Sequence, residues 1–137
     1  MTTINATKGE FVNLINGLFA VQDLKGKNFS LVVSKNIMIL RDKLKDLETV
    51  GKPSDEFMVL AQEVNKIANE NAEDSKEKIE KLEKDNNDLV KERRVQMDKL
   101  NQLLEAKTTV HLNTISEDDL PENITAKHIN NLEKIIE

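Results

Sequence analysis

The side chains best suited to engage another molecule are a few cations and one amide. Lys35, Asn36 and Arg41 fall in one apolar-striped segment, and Lys91, Arg93 and Arg94 in a later one. Arginine offers paired donors that match a phosphate or carboxylate. If the two segments run antiparallel, Lys35, Asn36, Arg41, Arg93 and Arg94 form a candidate site for an anionic ligand. Arg93 is the most notable, because it occupies a position where a seven-residue repeat calls for an apolar group. The plainer alternative leaves Arg93 and Arg94 in solvent or paired with Glu92 and Asp98.

Other chemistry finds little material. His111 and His128 are the only histidines, and without cysteine they could hold zinc only with carboxylates at a spacing that is missing here. Asp118 and Asp119 read as a solvated acidic turn. No GxxxxGK[ST], GxGxxG or GxSxG occurs, and four glycines leave little for a phosphate cradle. No catalytic residue, metal or cofactor is expected, and the chain reads as non-enzymatic.

Charged residues make up 33% and aromatics 3% of the 137 residues, so the usual bulky anchors of a core are few. Leu, Ile, Val and Met at helical spacing remain, which suits helices packed along narrow seams and completed by a partner chain. The net charge of −5 comes from 25 acidic and 20 basic side chains mixed along the chain, which opposes binding to duplex nucleic acid. Absence of cysteine is compatible with a reducing cytoplasm. No signal-like segment opens the sequence and no apolar run approaches membrane length, so the expected setting is the cytoplasm.

The elements that must position these residues follow from periodicity. TTINA near the start reads as a strand with Ile4 and Ala6 on one face. Thr7 and Glu10 form a capping box for a helix whose stripe is Phe11, Leu14, Ile15, Leu18 and Phe19. Gly17 within that stripe suggests a close backbone. Gly26 marks a loop, and Ser30 is the expected cap of a second helix with the heptad seam Val33, Ile37, Leu40, Leu44 and Leu47, widened by Leu31 and Met38. Gly51 and Pro53 break the pattern, and Ser54 caps a third helix.

Residues 69–78 carry only Ala72 as an apolar side chain, so they are either a turn or an exposed helical stretch. Unbroken, 54–105 would extend about 75 Å at roughly 1.5 Å per residue. That exceeds what the second helix can cover, so either a bend near 69–76 or self-association is expected. Pairs Glu77–Lys81 and Glu80–Lys84 support the helix, and Asn86 on the seam is expected to fix register and oligomeric state. Val110, Leu112 and Thr114 alternate with His111, Asn113 and Ile115 as a half-buried strand whose natural partner is TTINA. Thr125 then caps a last helix bearing Ile129, Leu132, Ile135 and Ile136, with Ile124 and Ile129 at staple spacing.

The segments LVVSKNIMILRDKLKDLE and DLPENITAKHINNLEKIIE resemble those of a family of short, functionally unassigned proteins carried by phages and prophages of Gram-positive bacteria. The likeness rests on Ser34, Lys35 and Asn36 opening a Leu-rich helix, and on Asp119, Leu120, Thr125, Ile136 and Glu137 at the end. It implies a phage or prophage origin and a helix-rich fold with a small sheet, and no activity. The charged stretch 69–99 departs from the family pattern.

The resulting expectation is a single, mostly α domain over 1–137. It comprises an antiparallel helical hairpin with a long coiled-coil-like helix (the extension about 69–99), a two-stranded sheet joining the N-terminal and penultimate segments, and a C-terminal strand and helix within 108–137. The expected function is that of a homo-oligomeric (dimer or higher) phage binding protein, a counter-defence trap for cyclic-nucleotide signals in an oligomer pocket. The alternative is an assembly chaperone or helical interaction scaffold.

Overall fold

The computed structural model describes all residues from Met1 to Glu137. Seven α-helices and a two-stranded sheet make a mostly helical protein. Within the chain two compact units are distinguished: Met1–Leu47 with Gln102–Glu137, and Glu48–Asn101. The division reflects the apolar pattern. All but one of the buried apolar residues belong to the first unit, the exception being Leu60.

In the first unit the two ends of the chain are clasped by a sheet, as the alternation predicted. Strand β1 (Thr2–Thr7) pairs antiparallel with β2 (Lys107–Leu112), Ile4 facing Val110 and Thr2 facing Leu112. Ala6, Val110 and Leu112 are buried, while Thr3 and His111 lie on the open face and share a 2.8 Å hydrogen bond. The expected strand over 110–115 is displaced by three residues toward the N-terminus, starting at Lys107 and ending at Leu112. Its alternation stops at Leu112, and Ile115 turns inward to bridge the chain end: its N–H donates to the carbonyl of Ile135 at 2.7 Å and its carbonyl accepts from Glu137 N–H at 2.9 Å.

Helix α1 (Lys8–Ala20) starts at the predicted capping box of Thr7 and Glu10 and buries Phe11, Leu14, Ile15 and Leu18. Gly17 is needed for packing, since a Cβ there would lie 3.0 Å from Asn131 Cβ and 3.3 Å from its carbonyl oxygen. Helix α2 (Lys27–Lys43) begins three residues before the expected cap Ser30. Gly26 at φ 145° makes that entry in a conformation that side chains resist, and its carbonyl accepts the first helical bond, from Ser30 N–H at 2.8 Å.

The second seam is correspondingly shorter. Phe29, Val33, Ile37 and Leu40 are buried, but α2 stops before Leu44, and Leu47 belongs to the short α3 (Lys45–Gly51). Leu31 and Met38 do not widen the stripe, being 49% and 69% exposed. Thr125 caps α7 (Ala126–Asn131) as expected, yet that helix ends before Leu132, which together with Ile135 is buried from a following 3₁₀ turn.

The second unit is a helical hairpin. The expected long helix is three: α4 (Asp55–Glu70), capped by Ser54 as predicted, α5 (Ser75–Asp85) and α6 (Asn87–Glu105). The turn over 71–74 forms without Gly or Pro. Asn71 adopts the left-handed conformation (φ 47°, ψ 37°), which asparagine tolerates better than most residues. Ser75 then locks the turn, its hydroxyl donating to Ile67 O at 3.1 Å and accepting from Ala72 N–H at 3.0 Å.

Asn86, expected to set oligomeric register, stands at the C-terminal end of α5 and donates from Nδ2 to Leu82 O at 2.9 Å. The expected pairs Glu77–Lys81 and Glu80–Lys84 give way to Lys78–Asp74 at 3.3 Å. Only Leu60 of this unit's apolar seam is buried, while Phe57, Val64, Ile67, Ile79, Leu82 and Leu89 stay half-exposed.

Candidate functional site

The five residues expected to form an anion site divide between the units. Lys35, Asn36 and Arg41 stand on α2 of the first, Arg93 and Arg94 on α6 of the second. Lys35 is exposed. Arg41 lies with its guanidinium 5.5 Å from the ring centre of Phe19.

Asn36 must be corrected outright as a ligand candidate. It is fully buried, and its amide is consumed by the fold: Oδ1 accepts from Asn113 N–H at 2.8 Å and Nδ2 donates to Asn113 O at 2.9 Å. A buried polar group is tolerated when its partners are fixed in this way. No local pattern signals the pairing, because Asn113 is distant along the chain and its backbone supplies both partners.

Arg93 does mark a site. Its Nη1 donates to Gly51 O at 2.8 Å and to Gln96 Oε1 at 2.7 Å, and its guanidinium sits 5.7 Å from the ring centre of Phe57. Gln96 in turn donates from Nε2 to Lys52 O. Arg93 is thus not paired with Glu92 or Asp98, but clamps the turn that leads into α4. The apolar seam accepts an arginine here because the guanidinium finds carbonyl acceptors and an aromatic face.

Around this clamp lies an open cleft of about 440 Å³. Lys52, Arg93 and Lys99 face it with Glu92 as the sole acid, against Val50, Phe57, Leu89 and Val95. Arg94, next along the helix, is exposed and does not line it. Lys52, Gln96 and Lys99 were not singled out from sequence. The available signal was helical spacing, since Glu92, Gln96 and Lys99 are four and three residues apart and share one face of α6.

The cleft sets the fixed donor of Arg93 and two exposed ammonium groups beside an apolar wall. The histidines are engaged elsewhere, His111 with Thr3 and His128 in the capping box of α7. No helix is long and apolar enough to cross a membrane. Compared with known proteins, the chain matches no family model, and no curated protein or solved structure is significantly similar to it.

Proposed function

We propose that this chain is a non-enzymatic, phage-encoded binding protein that works as a homo-oligomer, most simply a dimer, serving as an assembly chaperone or interaction scaffold. The phage origin rests on the resemblance carried by Ser34, Lys35 and Asn36 and by the C-terminal segment. The oligomer rests on one observation: the hairpin of α4, α5 and α6 leaves its apolar seam half-open, with Leu60 alone buried.

One such hairpin leaves the seam open, whereas two packed together can enclose it, as in bundles whose inward positions repeat every three or four residues. A second copy is the partner that fits. Glu and Lys alternate around Ile79 and Leu82 over residues 77–84, so the flanks carry both signs and can meet their own copy without rows of like charge. The apolar area then leaves water on association, which is the main driving term.

Mass by light scattering tests the oligomer. The expected result is twice the chain mass or more, reduced to one chain by Leu82→Asp with helical circular dichroism retained. A strict monomer at every concentration refutes it. Recovery of a defined phage structural polypeptide on pull-down from infected cells would support the scaffold role, and recovery of none would refute that part.

A further inference from the structure

The Arg93 cleft gathers positive charge that the fold does not neutralise. Neither Lys52 nor Lys99 forms an ion pair, and both are exposed. Arg93 is fixed through Nη1 alone, while Nη2 and Nε make no hydrogen bond within the protein. Three cations against Glu92 give 3 − 1, a local charge of +2. The volume of about 440 Å³ lies within the range of roughly 300–1,000 Å³ typical of small-molecule sites.

These features select among anions. A carboxylate brings one negative charge and leaves the cleft half-neutralised, whereas a phosphomonoester carries about −1.5 to −2 at neutral pH and three acceptor oxygens. Arginine is suited to two of those oxygens, and its pose is already set by Gly51, Gln96 and Phe57, so little ordering is required on binding. The remaining wall of Val50, Leu89 and Val95 is apolar, and Val95 is 55% exposed with its methyl groups open to contact. A ligand satisfying both halves has a phosphate at one end and a less polar organic body at the other.

We infer that this cleft binds an organic phosphomonoester, for which a nucleoside monophosphate serves as the probe, through Lys52, Lys99 and the unbonded edge of Arg93. The site is built within one hairpin and goes beyond the proposed assembly role, since it requires no second copy.

Calorimetric titration of the full chain at low salt with AMP, adenosine and inorganic phosphate tests the inference. AMP is expected to bind, adenosine not, and inorganic phosphate more weakly than AMP. Lys52→Ala and Lys99→Ala, both at exposed positions, are each expected to weaken AMP about tenfold or more, the equivalent of one charge-assisted hydrogen bond. Arg94→Ala, on the same helix but outside the cleft, is expected to leave it unchanged. The inference is overturned by absence of AMP binding, by adenosine binding as tightly as AMP, by inorganic phosphate matching AMP, or by Arg94→Ala weakening AMP as much as Lys99→Ala.

Discussion

The side chain of Asn36 stands in for a strand where β2 ends: its amide meets both the N–H and the C=O of Asn113, at 2.8 and 2.9 Å, as a neighbouring peptide group would. The sheet has only two strands, and this contact satisfies backbone groups just past the last residue of β2. It also ties α2 to the penultimate segment. The residue that looked like a ligand contact is therefore part of the framework.

Replacing Asn36 with Leu keeps bulk but strands two backbone polar groups. Each buried unsatisfied group costs about 1–3 kcal/mol, so Asn36→Leu is expected to lower stability by about 2–4 kcal/mol. Urea denaturation followed by circular dichroism reads this directly, and an unchanged midpoint would show that Asn113 finds other partners.

Gly17→Ala sets two effects against each other. Alanine is favoured over glycine within a helix by about 1 kcal/mol, but the new methyl group would press on the Cβ and carbonyl of Asn131, which are held by backbone rather than by a flexible tip. Overpacking typically costs about 1–3 kcal/mol. Net destabilisation is expected, with loss of amide protection over α7, and a stabilised Gly17→Ala would disprove the tight approach.

Asp46 gives a pH dependence of defined sign. The hydrogen bond from Lys8 holds its carboxyl below the ordinary carboxylate range, with burial opposing it. A depressed folded-state pKa contributes stability above the unfolded value, which is lost as pH falls through the folded one. Asp46→Asn should therefore be less stable than wild type near neutrality and converge with it in acid. The group is partly exposed, so the difference should be about 1 kcal/mol or less. A constant gap across the acid range would exclude the pair as its source.

Arg93→Lys retains charge but not the clamp. Lysine cannot reproduce a planar group that bonds Gly51 and Gln96 while lying against Phe57. A loss of about 1–3 kcal/mol is expected, together with faster amide exchange at Phe57, the first amide held by the Ser54 cap. Exchange rates matching the wild type would show that the turn into α4 holds without the clamp.

What the sequence determined by itself was local. The Thr7–Glu10 box, the Ser54 and Thr125 caps and the buried face of α1 all depend on groups within about four residues of one another, so residue type and spacing are sufficient to specify them. The β1–β2 pairing was also legible, because two short half-buried strands had only each other as partners. Tertiary structure alone decided the rest: that Asn36 serves the fold, that Arg93 faces Gly51 and Phe57, and that Lys52 and Lys99 share its cleft. Those outcomes depend on backbone groups and side chains far apart in the chain, and on a turn made by Asn71 in a conformation that no composition signal announced. Hydrogen-bond partners of this kind are chosen by proximity after folding, whereas caps and stripes are chosen by spacing before it.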